Sequence, residues 1–167
     1  MRILGIDPGS HTMGWAVVES EQNKYKHIGS GVINTQGISD IARRLRLIFD
    51  EVTKIIDTYE PDALAIETVF FSKNQKSSFV LVQSATSAML AAVNHGLSVN
   101  EYQPMMIKKA LTGYGRADKE QVQFMVKKLL NINTRMIMDR SDAIAVALCH
   151  INSIQLKNRV LNHALSY

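Results

Sequence analysis

The chain has 167 residues, of which 46% are hydrophobic and 20% are charged, and its formal net charge is +4. This length suits one domain with a substantial core, and the composition is that of an ordinary globular protein. No apolar run is long enough to cross a bilayer and the first residues lack a secretory-signal pattern, so we expect a cytoplasmic protein with no membrane partner. The single cysteine, Cys149, excludes an internal disulfide.

Three strands are predicted at the N-terminus, over residues 2–7, 13–19 and 26–34. Pro8 and Gly9 supply the first turn, and the connections are short enough to favour an antiparallel meander. The first strand is the most uniformly apolar, so we place it at the centre of the sheet.

Helices and strands alternate after the meander. The spacing of apolar residues predicts a helix over 38–59, and short apolar runs predict strands over 62–67 and 98–102. A helix rich in Ala and Ser is predicted between them, over 77–95. This order predicts an α/β fold with a five-stranded mixed sheet, in which parallel strands join an antiparallel meander.

The remainder is predicted to be helical, at 104–111, at 119–130 and from residue 139 onward. The last of these helices is apolar nearly all round, as a buried helix should be. We assign residues 1–154 to one domain and residues 155–167 to a loosely held basic tail.

One segment carries as much excess positive charge as the whole chain. Between residues 104 and 128 the charged side chains are Lys108, Lys109, Arg116, Lys119, Lys127 and Lys128, against Asp118 and Glu120. A clustered basic surface is suited to phosphate binding, so we predict contact with a polyanion such as nucleic acid.

Four acidic residues stand where apolar elements end or begin. Asp7 and Glu67 each end a predicted strand, and Asp139 and Asp142 open the last helix on one face. Each acid alone could be a turn or capping residue. The carboxyl ends of neighbouring parallel strands meet at one sheet edge, however, so we expect Asp7 and Glu67 to lie side by side there.

If the four acids converge, their charges need compensation. Two carboxylates about 4 Å apart repel by about 4 kcal/mol at an effective dielectric constant of about 20. A divalent cation could neutralise them, and oxygen ligands favour Mg²⁺ or Mn²⁺ over zinc. The alternative is a hydrogen-bonded acid pair in which one member stays protonated.

Four motifs follow one another along residues 1 to 154: GIDPGSHTMGWAVV, AIETVFF, KKALTGYGRADKEQV and DRSDAIAVALCHI. In type and order they resemble the motifs of the RuvC-type bacterial Holliday-junction resolvases, within the ribonuclease H-like superfamily. The resemblance implies a ribonuclease H-like fold. The chain departs from the family pattern at Thr68, where relatives commonly have Gln, and at Arg140–Ser141, where a small pair is usual.

The resemblance also implies an endonuclease that resolves four-way DNA junctions by paired symmetric nicks, in recombination and DNA repair, leaving 5′-phosphate and 3′-hydroxyl ends. It implies two Mg²⁺ ions per subunit, replaceable by Mn²⁺. The implied catalytic acids and metal ligands are Asp7, Glu67, Asp139 and Asp142, and the implied catalytic lysines are Lys108 and Lys119. The residues that would contact DNA are Phe70, Phe71, Lys73, Lys76, Lys108, Lys109, Arg116 and Lys119.

A homodimer and a partnership with the RuvAB branch-migration complex are further implications of the resemblance. The helix over 77–95 carries small residues that would allow close approach of a second helix: Ser84, Ala85, Ser87, Ala88, Ala91 and Ala92. The same residues would also let this helix lie flat on its own sheet. Both readings remain open from the sequence.

Three other functions were compared with junction cleavage. The four retained acids argue against a DNA-junction binding module without catalytic activity. Actin-like ATPases and sugar kinases share the Asp-x-Gly turn, but this chain has no room for their second domain. A nuclease of the same fold that acts on duplex DNA or on RNA–DNA hybrids is not separated from a resolvase by the residues alone.

Overall fold

The computed structural model describes residues 1–22, 24–69, 75–131 and 138–164; within these ranges, the side chains of Lys76, Met138, Asp139 and residues 162–164 are not described. The strands are β1 (Arg2–Asp7), β2 (Thr12–Glu21), β3 (Lys24–Asn34), β4 (Ala63–Glu67) and β5 (Ser98–Tyr102). The helices are α1 (Ile41–Tyr59), α2 (Gln75–Asn94), α3 (Pro104–Thr112), α4 (Lys119–Leu130) and α5 (Met138–Ala164).

The five strands form one mixed sheet in the order β3-β2-β1-β4-β5. β1 pairs antiparallel with β2 and parallel with β4, where Ile6 lies opposite Ile66. β4 pairs parallel with β5. The predicted meander, the mixed sheet and the central place of the first strand are therefore confirmed.

Helices cover both faces of the sheet, because alternate residues of the buried strands point to opposite sides. Leu4 and Ile6 of β1 pack in a core with α1 and α2. Ile3 belongs to a second core with α3, α4 and α5. The sheet thus separates two hydrophobic layers, and each residue position in β1 and β4 is assigned to one of them.

The first part of α5 packs on the sheet and is buried. Every residue from Ala143 to His150 is buried, as the apolar sequence predicts. Gly5 makes the close approach possible, because a Cβ atom at this position would lie 2.1 Å from the carbonyl oxygen of Ala143. Cys149 is buried within α5, and burial raises the pKa of its thiol to about 11, so it has no reactive role.

Four elements extend beyond their predicted bounds by two or more residues: β2, β3, α2 and α5. β2 and β3 extend to a Glu21–Lys24 pair, beyond the apolar alternation on which the prediction depended. The outer end of this hairpin is exposed and pairs opposite charges across the strands, so its sequence lacks a buried-strand pattern. α2 begins at Gln75, and α5 continues as helix to Ala164, through the segment predicted to be a loosely held tail.

The small residues of α2 face inward. Ser84, Ala88 and Ala92 are buried with the α1 side of the sheet, and the Ser87 hydroxyl donates a hydrogen bond to the Leu45 carbonyl oxygen of α1 at 2.7 Å. These residues therefore serve packing within the chain. No helix in the described part of the chain is both long and apolar enough to span a membrane.

Candidate active site

Two carboxylates end neighbouring strands on the same face of the sheet. In β1, Ile3 and Gly5 face α5, and Asp7 continues this alternation. In β4, Ala65 faces the same layer and Glu67 continues it. Because β1 and β4 are parallel and in register, Asp7 and Glu67 lie side by side at the carboxyl edge, as predicted.

A third carboxylate reaches this edge from α5. Asp142 directly precedes Ala143, whose backbone lies against Gly5, so the contact between helix and strand positions it. Asp7, Glu67 and Asp142 all line one cavity of about 180 Å³. Asp139 stands one helical turn earlier on α5, but its side chain lies outside the described residues and its predicted role stays a prediction.

The two predicted catalytic lysines line the same cavity, Lys108 from α3 and Lys119 from α4. The Lys119 Nζ atom lies 3.3 Å from Asp142 Oδ2. Lys109 and Arg116 are exposed and are not among the residues that line this cavity. The remaining predicted DNA contacts, Phe70, Phe71, Lys73 and the Lys76 side chain, lie outside the described residues.

Local sequence explains why Lys119 begins α4. Gly113 ends α3 with a left-handed φ of 77°, a conformation that glycine adopts without strain. Asp118 then caps α4: its carboxylate accepts a hydrogen bond from the Gln121 backbone N–H at 2.7 Å, and the Gln121 side chain accepts one from the Asp118 N–H at 3.0 Å. This capping box fixes the first turn and holds Lys119 beside the acids.

The charged side chains that line the cavity shift one another's pKa values. Burial raises the pKa of Glu67, and the neighbouring Asp142 carboxylate raises it further, while Lys119 and Lys108 act in the opposite direction. The pKa of Lys119 is raised, chiefly by Asp142 and then by Asp7 and Glu67. The acids therefore favour a cation among them.

The donor set matches a hard divalent cation, since its members are carboxylates and the cavity wall offers no thiolate or imidazole. Within the described ranges, no three acidic, histidine or cysteine side chains stand close enough together to hold one metal ion. The chemistry of the residues thus fits Mg²⁺ or Mn²⁺.

Residues to which the sequence assigned no functional role hold this edge of the sheet in place. The Thr68 backbone N–H and hydroxyl both donate to the Tyr102 carbonyl oxygen, at 2.9 and 3.3 Å, which fixes the chain as it leaves Glu67. The Tyr102 hydroxyl in turn lies 2.7 Å from Nδ1 of His150 in α5. A histidine inside an otherwise apolar helix is the sequence signal that could have pointed to this link.

Comparison with known proteins agrees with this geometry. Residues 3–150 match the family model described as crossover junction endodeoxyribonuclease RuvC. The protein of that name from Geobacter metallireducens is 47% identical over 158 residues, covering 95% of this chain and 96% of the relative. The one from Cupriavidus pinatubonensis is 46% identical over 152 residues, covering 91% of this chain and 84% of the relative.

Solved structures show the same fold. Thermus thermophilus RuvC in complex with Holliday junction substrate superposes with a TM-score of 0.88 at 29% identity, covering 94% of this chain and 96% of that one. The yeast mitochondrial Holliday junction resolvase Ydc2 has a TM-score of 0.70 at 14% identity, covering 93% of this chain and 80% of that one, and supports the fold alone. Together with the match over nearly the whole chain, these findings show that the chain belongs to the family of the crossover junction endodeoxyribonuclease RuvC, whose members are divalent-metal-dependent hydrolytic nucleases with a ribonuclease H-like fold.

Proposed function

We propose that this chain resolves four-way DNA junctions by paired symmetric nicks, in recombination and DNA repair. The observation that carries the proposal is the single cavity shared by Asp7, Glu67 and Asp142 with two lysines, in a chain of the RuvC family. One relative of the same fold is solved with a Holliday junction substrate. The relatives from Geobacter metallireducens, Cupriavidus pinatubonensis and Thermus thermophilus are bacterial. Bacterial DNA lies in the cytoplasm, where we place this activity.

The four acids would hold the metal ions. Asp7, Glu67 and Asp142 face one cavity, and Asp139 stands one turn away along α5. We propose two Mg²⁺ ions per subunit, with Mn²⁺ as a substitute, because carboxylate oxygens select hard cations. When bound, such ions supply an activated water and neutralise charge on the phosphodiester, leaving 5′-phosphate and 3′-hydroxyl ends.

The lysines would act on the phosphate itself. Lys108 and Lys119 enter the cavity from α3 and α4, opposite the strands that carry the first two acids. An ammonium group held there stabilises the negative charge that develops on the phosphate oxygens during cleavage. Lys108 and Lys119 are therefore proposed as catalytic residues.

A wider surface would position the DNA. Lys109 and Arg116 are exposed on α3 and on the loop that follows it, next to the cavity-lining lysines in sequence, and would contact phosphates on either side of the cut. Phe70 and Phe71 are proposed to stack on unpaired bases at the crossover, where stacking contributes about 1–3 kcal/mol per base. Lys73 and Lys76 would contact the backbone beside them.

Paired nicks require two active sites, so we propose a homodimer. The outward face of α2 carries Phe79, Leu90 and Val93, each more than half exposed, at spacings that place them on one side of the helix. An exposed apolar stripe on a helix is typical of a surface covered by another chain. The dimer would then act on junctions moved by the RuvAB branch-migration complex.

The substrate is tested by incubating the protein with a synthetic mobile four-way junction, a matched linear duplex and an RNA–DNA hybrid, each with Mg²⁺ or with EDTA. We expect symmetric nicks in the junction alone, and none in EDTA. Equal cutting of the duplex or of the hybrid would show a general nuclease of the same fold. Junction binding without any cutting in Mg²⁺ or Mn²⁺ would show a binding module.

A further inference from the structure

Lys119 places a positive charge directly beside one of the acids of the site. Its Nζ atom is 3.3 Å from Asp142 Oδ2, inside the cavity that Asp7 and Glu67 also line. At the same time, 63% of its side-chain surface is exposed, so the ammonium reaches in from solvent on a flexible stem. The helix start behind it is fixed by the Asp118 capping box, so the side chain can move while its anchor does not.

The ammonium and a divalent ion would compete for the same oxygen atoms. A carboxylate oxygen that accepts a hydrogen bond from Nζ has that lone pair occupied, and two cations a few ångströms apart repel each other. With the ammonium beside Asp142, no three acidic, histidine or cysteine side chains among the described residues are within reach of one ion.

Resting on the metal site proposed above, we infer that Lys119 is a resident counter-ion of the acids, which a divalent metal ion displaces from Asp142. The displaced ammonium is then free to turn toward the DNA phosphate at the mouth of the cavity. Metal binding and phosphate binding are thereby coupled through one side chain. This coupling concerns the binding of the metal ion, and it is separate from the role proposed for Lys119 in cleavage.

The direct test measures Mg²⁺ binding in the absence of DNA, by isothermal titration of MgCl₂ into the wild type and into Lys119→Met. Removing the competitor is expected to tighten Mg²⁺ binding by about two- to fivefold, the change that corresponds to breaking one exposed ion pair. Without Mg²⁺, Lys119→Met is expected to melt at a lower temperature than the wild type, because the acids lose their counter-ion.

Two control variants separate contact from general charge. Lys108→Met removes the same charge from the same cavity but leaves the Lys119–Asp142 contact intact, and Lys128→Met removes it from an exposed position at the far end of α4. We expect a smaller effect for Lys108→Met and none for Lys128→Met. Equal tightening in Lys108→Met and Lys119→Met, or no tightening in Lys119→Met, would overturn the inference.

A second readout follows the ammonium itself. In protein labelled with ¹⁵N-lysine, the Lys119 ammonium signal, assigned by its loss in Lys119→Arg, is expected to shift or broaden on addition of MgCl₂, while that of Lys128 stays in place. An unchanged Lys119 signal at saturating Mg²⁺ would refute the displacement while leaving the metal site standing. A wild-type protein that binds no Mg²⁺ would overturn both.

Discussion

The alternation of side chains along each strand decides which of them reach the candidate active site. Asp7 and Glu67 face α5 because they stand an even number of positions from Ile3 and Ala65, which are buried on that side. A shift of one residue in the register of β1 would turn Asp7 toward α1 and away from Asp142. The apolar residues of β1 and β4 therefore determine the arrangement of the candidate active site as well as that of the core.

The buried histidine of α5 should make stability depend on pH. His150 is 4% exposed, and burial, followed by the charge of Lys157, lowers its pKa below the ordinary value of 6.5. Because the folded-state pKa lies below the unfolded one, the stabilisation is present above the unfolded pKa and is lost as the pH falls through this range. We expect the free energy of unfolding to decrease on going from about pH 7 to about pH 5.

Urea unfolding at a series of pH values checks this expectation. The variant His150→Gln, which removes the titrating group, should show a shallower decrease. The pKa of His27 is also lowered by burial, so part of the slope should persist in the variant. Identical slopes in the two proteins would show that His150 does not contribute.

At the scale of elements, the contact between β1 and α5 links stability to activity. Gly5 lets the α5 backbone lie against β1, and this contact sets the position of Asp142 near the start of α5. Gly5→Ala should therefore lower the free energy of unfolding by about 1–3 kcal/mol, as overpacking does, and should also reduce cleavage by displacing the start of α5. Urea unfolding and a junction-cleavage assay measure the two effects.

Gly96→Ala is a matched control for this variant. Gly96 lies after α2, at the opposite edge of the sheet, where a Cβ atom would meet nothing within 4 Å and the cost comes only from a φ of 74°. It should lose stability through backbone strain and keep its cleavage rate once folded. If Gly5→Ala cleaves as well as Gly96→Ala at equal folded fraction, α5 does not position the site.

The same elements show how far sequence reasoning reaches. Apolar patterns local to the chain predicted the central β1 and the buried part of α5. The proximity of Asp7 and Glu67 was predicted from the rule that neighbouring parallel strands end at the same edge of a sheet. The β2–β3 hairpin was predicted, but its outer end extends further than expected because the exposed pairs there carry no apolar alternation. The sequence does not predict the Lys119–Asp142 contact, because this contact depends on how α4 packs against α5.

At the scale of the whole molecule, the outward face of α2 should carry the dimer. Leu90→Glu is expected to convert a dimer into a monomer in sedimentation or light-scattering measurements, because it buries a charge in an apolar interface. Leu156→Glu changes a leucine on α5 that is also more than half exposed, and it should leave the dimer intact. If Leu90→Glu remains dimeric, the interface lies elsewhere on the protein.

Carboxylates from β1, β4 and α5 are proposed to hold together the metal ions that this chain would need to cleave DNA junctions. Asp7→Asn keeps the shape of the side chain and removes the charge, and Asp62→Asn makes the same change at the opposite edge, where the Asp62 carboxylate accepts a hydrogen bond from the Arg2 backbone N–H. In a Mg²⁺-dependent cleavage assay on a four-way junction, Asp7→Asn should bind the junction but cut it at least about 100-fold more slowly. The expected loss is this large because mutating residues that only orient metal ligands already lowers metal affinity or activity by about 10- to 100-fold. Asp62→Asn should cut normally, and an Asp7→Asn protein that cuts at the wild-type rate would contradict the account.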